Sequence, residues 1–207
     1  MSLSESRMQE IFQDPSAILS QRLLLLPLST THTLELAELV ESQQLWKTDY
    51  TTIPTAEVMD EYVQRMLMNR SKRKCLPYAI WLRSSQSVIG TIGIRNINFK
   101  HKRCEIGEIW ISNNFRRVGI NTESNLVLLD YAFNMLDVIL IQYCADERNL
   151  ASRRCLLRMG ATEEGLLRAE RIAPSGWIRN TVIYSFLKRE WPEKKDAIIS
   201  TLASHSS

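Results

Sequence analysis

Residues 115 to 124, "FRRVGINTES", gather the side-chain types of an anion site. They follow a strand-like run, "CEIGEIWIS", and lead into "NLVLLDYAFNML", whose apolar residues recur at helical spacing. A helix that starts there leaves its first N–H groups without intrahelical acceptors, and its dipole puts partial positive charge at the same end. A phosphate fits such a place. Gly119, one of 7 glycines in the chain, lets the backbone come close to an anion, and Arg116 and Arg117 add fixed charge. Asn121 and Thr122 can cap the helix or bond an oxygen themselves. Taken alone, the same residues also read as a glycine turn flanked by solvated arginines.

Other residue types exclude more than they suggest. Cys75, Cys104, Cys144 and Cys155 show no metal-ligand spacing, and two of them fall inside apolar runs, so reduced thiols and no metal are expected. His32 and His101 lie near element ends and His205 in the tail, which offers no nucleophilic constellation. A net charge of +3 suits an anionic ligand but falls short of a nucleic-acid surface, and "RSKRK" at 70–74 reads as a solvated loop. The longest apolar run, "LLLLPL" at 23–28, is too short to span a bilayer, and the acidic N-terminus does not resemble a signal peptide. A cytoplasmic protein without membrane or nucleic-acid partners is expected.

The elements that must position the loop follow from period. The chain has 207 residues, of which 44% are hydrophobic and 24% charged, enough for one domain with a full core. Residues 1–20 are polar, with a short helix around Met8 to Phe12, and are expected outside that core. "RLLLLPL" reads as a strand. Ser29 or Thr30 caps a helix through Leu34 to Val40, and Thr55 caps a second one whose stripe includes Val58, Met59, Tyr62, Val63 and Met66. Strands follow at 77–83, 87–99 and 102–112 as an antiparallel meander. Then come a helix at 119–136, a strand at 138–144, a helix ending at Gly160, strands near 162–172 and 177–187 joined by "PSG" (174–176), and a terminal helix. The tryptophans Trp81, Trp110, Trp177 and Trp191 fit core or edge packing. The order implies an α+β domain layered on one sheet.

The chain resembles the GCN5-related N-acetyltransferase (GNAT) superfamily, whose cofactor loop reads Gln/Arg-x-x-Gly-x-Gly/Ala. Arg116 and Gly119 match its first and fourth positions, and Asn121 departs at the sixth. "CEIGEIWIS", "GINTESNLVLLDYAF", "DERNLASRRCLLRMGATEEGLLR" and "SFLKREWP" are most similar to the RimJ/RimL-like ribosomal-protein-alanine acetyltransferase branch. The likeness implies an extension at 1–20, a GNAT domain at 21–193 and a tail at 194–207. It further implies a seven-stranded, mostly antiparallel mixed sheet flanked by helices, with a V-shaped opening between the fourth and fifth strands.

Function follows from the resemblance as an expectation. The enzyme would move an acetyl group from acetyl-CoA to a primary amine, a protein N-terminus or a small molecule, by direct attack. The alternative is an acyl-CoA-binding sensor without chemistry. The cofactor pyrophosphate would rest on the backbone of Arg117, Val118, Gly119, Ile120, Asn121 and Thr122 beside Arg116, and the pantetheine arm near Trp110 and Ile111. Glu105 stands where one branch places its general base. Glu108 is the second carboxylate, and alternation puts the two on opposite faces unless a bulge intervenes. A water chain is the competing route for the proton. Relatives use a tyrosine to protonate the departing thiolate, but the matching residue is Leu156, which leaves Ser152 for that role. Asn149 would contact the pantetheine arm or simply cap its helix. Trp46 and Tyr50 would line the acceptor pocket. Relatives commonly form homodimers.

Overall fold

The period-two runs in the middle of the chain build the sheet. The computed structural model describes residues 4–48, 50–173 and 175–204. Strands β1 (Ile18–Leu19), β2 (Leu23–Pro27), β3 (Cys75–Leu82), β4 (Ser87–Asn98) and β5 (Arg103–Ile111) pair antiparallel in chain order. Helix α4 (Ile120–Met135) crosses over to β6 (Leu140–Asp146), which pairs parallel with β5. Strands β7 (Thr162–Ile172) and β8 (Ile178–Leu187) close the order β1-β2-β3-β4-β5-β6-β8-β7. The sheet is the mixed, mostly antiparallel one expected, with eight strands instead of seven. The addition is β1, two residues too short to show a period, held by Ile18 opposite Leu25 and Leu19 opposite Leu24.

Helices cover the two faces unequally. On one face α1 (Glu5–Gln13), α4, α5 (Leu150–Arg158) and α6 (Trp191–Ser204) close over Ile92, Ile94, Ile106, Ile141, Tyr143, Val182, Tyr184 and Phe186. On the other, α2 (Thr33–Gln43) and α3 (Met59–Ser71) form a smaller cluster with Cys75, Ala79, Val88 and Trp110. Among the described residues that second cluster takes its strand residues from β3, β4 and β5 alone. Alternation along β6 and β8 therefore points Gln142, Cys144, Asp146, Thr181 and Ser185 to a face no apolar cluster claims.

Three sequence expectations change, and one is described only in part. Residues 1–20 were expected outside the core, yet α1, capped by Ser4, buries Ile11 and Phe12 there, and Phe12 meets Phe99 edge-on at 6.2 Å. Two apolar side chains on one helical turn outweigh the polar composition around them. Thr55 does not cap α3, which begins at Met59 after Val58; Thr55 lies in the preceding loop. Trp177 is not packed away but 49% exposed. Of the "PSG" turn, Pro174 lies outside the described residues, as does His205; Gly176, at φ +83°, donates its N–H to Ala173 O at 2.9 Å.

Asp137 ties the turn before β6 to its neighbours through Lys102 at 2.7 Å and Lys188 at 2.6 Å. Hydrogen bonds from Lys102 and Lys188 hold its carboxyl down at about 2. A depressed folded value means the contribution is complete above the unfolded value, near 3.9, and disappears as pH falls through the folded one. Asp137→Asn is therefore expected to be less stable than the parent at pH 7. The gap should shrink from about pH 4 downward and close near pH 2 in urea melts at stepped pH.

Candidate functional site

The loop entering α4 has a fixed and unusual backbone. Arg116 is extended, Arg117 sits at φ +66°, and Gly119, the N-cap of α4, sits at φ +81°. The first helical bond runs from Glu123 N–H to Gly119 O at 2.9 Å. Among the described residues no acceptor takes the N–H groups of residues 117 to 122. Open donors at a helix start are the kind of backbone that can cradle an anion. The Arg116 and Arg117 side chains are exposed and form no ion pair among the described residues.

What holds the loop comes from far away in sequence. Glu123, 5% exposed, accepts from Ser20 Oγ (2.6 Å), Arg22 N–H (2.9 Å) and Arg22 Nε (2.6 Å). Arg22 Nη1 also donates to Val118 O at 2.8 Å. A Cβ on Gly119 would stand 3.0 Å from Arg22 Nη2 and 3.2 Å from Leu202 Cδ2. The glycine thus makes room for the arginine brace, in addition to supplying the left-handed backbone. Asn121 turns its amide inward, with Nδ2 on Cys155 Sγ at 3.4 Å and Oδ1 accepting from Asn125 at 3.1 Å. Its side chain seals the α4–α5 seam while its N–H stays in the cradle. Thr122 lies in the same seam, its Oγ1 3.9 Å from Cys155 Sγ, and Ile120 is buried in the core while Val118 is exposed.

Strands β5 and β6 part immediately below the cradle. They pair only at Arg103–Leu140, Cys104–Ile141 and Glu105–Gln142, then run on to Ile111 and Asp146 without each other. The result is the V-shaped opening, with the α4 and α5 N-termini at the carboxyl ends of two parallel strands, where ligands of such sheets bind. The β5 edge from about Ile106 onward offers unpaired backbone to an extended ligand. Asn149 caps α5 by accepting from Ser152 N–H at 3.0 Å, and the half-buried Ser152 hydroxyl has no partner among the described residues.

A bulge decides where the carboxylates go. Gly93 faces Gly107 and Thr91 faces Trp110, so two residues of β5, Glu108 and Ile109, oppose Ile92 alone. Glu108 has φ +53°. This non-glycine residue in the left-handed region costs on the order of 1 kcal/mol, and such strain persists where the surrounding structure imposes it. Glu105 and Glu108 consequently meet the same guanidinium. Arg95 donates Nε to Glu105 Oε1 (3.0 Å) and Nη1 to Glu108 Oε1 (2.9 Å), and Asn96 Nδ2 fills Glu105 Oε2 at 2.8 Å. Glu105 is buried with both oxygens occupied. Glu108 is more open, and its Oε2 has no partner among the described residues. Trp110 is buried under α2 and α3 while Ile111 packs on the opposite face, so what they present to the opening is main chain. Trp46 is half-buried, its Nε1 unbonded among the described residues, and Tyr50 is exposed in the loop beyond it.

Beside these carboxylates lies a charged surface that the sequence reading passed over. Asp146, 1% exposed, accepts from Arg148 N–H (2.9 Å), Nε (3.0 Å) and Nη2 (2.8 Å). Burial works against its charge, yet Arg148 holds the carboxyl below the usual range. Arg148 also lies 4.7 Å over the Trp177 ring. Glu170 accepts from Arg171 at 2.6 Å and from Thr181 Oγ1 at 3.0 Å, and Thr181 in turn accepts from Arg179 Nε at 2.9 Å. Burial, then Glu105, pushes the Cys144 thiol up to about 12. The pattern of "LIQYCAD" and "RNTVIYSF" was the available signal: Gln142, Asp146, Arg179, Thr181 and Ser185 are polar in strands that an ordinary core would make apolar on both faces.

Comparisons with known proteins agree with this geometry. The family described as "Acetyltransferase (GNAT) domain" matches residues 22–162. The chain is 36% identical over 109 residues to YdaF of Bacillus subtilis (strain 168), provisionally named a ribosomal N-acetyltransferase, covering 53% of this chain and 58% of that protein. It is 32% identical over 117 residues to the uncharacterized N-acetyltransferase YoaA of the same organism, covering 56% of this chain and 65% of that one. The matches thus span about two thirds or less of either relative. In fold, Mycobacterium smegmatis RimJ in complex with CoA-disulfide superposes with a TM-score of 0.81 at 18% identity, over 91% of this chain and 95% of that one. Loop, opening and family match converge, and the chain belongs to the GNAT acetyltransferase domain family.

Proposed function

We propose that this chain transfers the acetyl group of acetyl-CoA to a primary amine within a ternary complex. The observation that carries the reading is the set of N–H groups from 117 to 122 without acceptors among the described residues, beside two arginines without ion pairs there. These residues fit the cofactor: the cradle takes a diphosphate, Arg116 and Arg117 add charge, and the open β5 edge near Trp110 and Ile111 takes the amide-bearing arm. When bound, acetyl-CoA supplies an activated thioester carbon. Everything else falls to the chain.

An alkyl amine of lysine type, with a pKa of about 10.4, arrives protonated at neutral pH and needs a base. Glu108 suits that task better than Glu105, because its Oε2 is open while both Glu105 oxygens are engaged in holding Arg95 and Asn96. Ser152 can donate its hydroxyl proton in a hydrogen bond to the departing thiolate. An acyl-cysteine route through Cys75, Cys104 or Cys144 is disfavoured, since burial pushes the first thiol up to about 11 and the other two to about 12, far from a nucleophilic thiolate. The acceptor is a protein N-terminal amine or a small-molecule amine; the name of YdaF points to ribosomal protein. A homodimer acting in the cytoplasm fits the same reading.

Thiol release from acetyl-CoA across an amine panel tests it. Glu108→Gln is expected to slow turnover at pH 7 by roughly 10- to 100-fold, with the deficit shrinking as rising pH deprotonates the amine. Unchanged turnover at pH 7 would remove Glu108 from the proton path and leave water as the base. Ser152→Ala should slow turnover while acetyl-CoA still raises the melting temperature.

A further inference from the structure

Building on the acetyltransferase reading, we propose that Arg179 selects acceptors that carry a carboxylate in addition to the amine. The charged surface beside the opening is otherwise matched. Glu105 and Glu108 share Arg95, Asp146 has Arg148, and Glu170 has Arg171. Arg179 differs. It donates Nε to Thr181 Oγ1 at 2.9 Å and has no carboxylate within ion-pair distance among the described residues. It is half-buried, and its cross-strand neighbour is Arg171, a like charge. Burial and then Arg171 pull the guanidinium below its ordinary value, while Asp146 and Glu170 work the other way. Among the described residues Nη1 and Nη2 have no partner, a planar fork of the geometry that takes a carboxylate through two parallel hydrogen bonds.

Position ties this fork to the reacting amine. Thr181 lies opposite Asp146 at the carboxyl end of β6, and Arg179 lies just beyond it on β8. Glu108 lies beyond Glu105, the last residue of β5 paired with β6. Both therefore stand past the point where β5 and β6 separate, one on each side of the opening. Glu105, the last β5 residue paired with β6, stands near Cys144 of β6, and the exposed Trp177 ring lies under Arg148. An acceptor with a cationic amine toward Glu108 and an anionic group toward Arg179 would neutralise both open groups at once.

The test compares acceptors matched in everything but one charge. Thiol release would be measured with Ala-Ala bearing a free carboxylate against Ala-Ala amide, and with Ala-Asp amide against Ala-Asn amide. The first pair reports a main-chain carboxylate and the second an acidic side chain of a peptide. In at least one pair the anionic member should show a kcat/KM higher by roughly 10- to 100-fold, the worth of one charge-assisted pair. Arg179→Met should bring that ratio to about one, and Arg179→Lys should keep part of it. Equal turnover of both members of both pairs by the parent enzyme would overturn the proposal, whether or not the variants fold. A ratio that survives Arg179→Met would do the same. Absence of thiol release with every acceptor would sink the acetyltransferase reading, and this inference with it.

Discussion

Gly119→Val should lose most of its affinity for acetyl-CoA, by roughly a thousand-fold, or about 4 kcal/mol. Two effects act together. A β-branched side chain cannot hold φ +81° without strain, so the peptide at the helix start must rotate. The new Cβ would also stand 3.0 Å from Arg22 Nη2, displacing the group that braces Val118 O. Either change swings N–H groups away from their common focus, and losing two or three hydrogen bonds to a charged diphosphate accounts for the expected size. Titration calorimetry with acetyl-CoA measures it. A parent-like dissociation constant would show that the cofactor does not use this loop.

Arg22→Met is expected to destabilise the fold by about 3 kcal/mol, a figure set below the upper range for broken buried pairs because the arginine is partly exposed. Its partner is the reason for the size. The Glu123 side chain is 7% exposed, and without the guanidinium its charge would rest on Ser20 Oγ and one backbone N–H. The loss should appear as a lower urea midpoint, with weaker cofactor binding in the same variant because Val118 O loses its tie. Arg22→Met combined with Glu123→Leu should recover much of the stability, since removing both partners leaves no stranded charge. A double variant as unstable as Arg22→Met would show that the ion pair is not the origin of the effect.

These two residues mark the limit of what could be read from the chain. Strand–turn–helix order, the helical stripe after Gly119 and the alternation of β3 to β5 depend on neighbours in sequence, so period and turn chemistry exposed them. The Arg22–Glu123 pair spans 101 positions, and no local pattern distinguishes its arginine from a solvated one. The bulge at Glu108 was open for a similar reason. Nothing in "EIGEIW" fixes which residue is left over, and only pairing with β4 shows Glu108 and Ile109 sharing one opposite partner. Helix α1 was misplaced because its composition is polar, although two apolar side chains suffice when a groove awaits them. The charged surface around Arg179 could have been seen in the polar alternation of β6 and β8, had that alternation been weighed against the apolar character expected of central strands.

The brace on the cradle also bears on speed. Because Ser20, Arg22 and Glu123 already hold the loop in place, capture of a diphosphate there would require no rearrangement of chain and incur little ordering entropy. The association rate should then be governed by diffusion and by the pull of Arg116 and Arg117 on a polyanion. Raising the ionic strength would slow arrival while leaving departure nearly untouched.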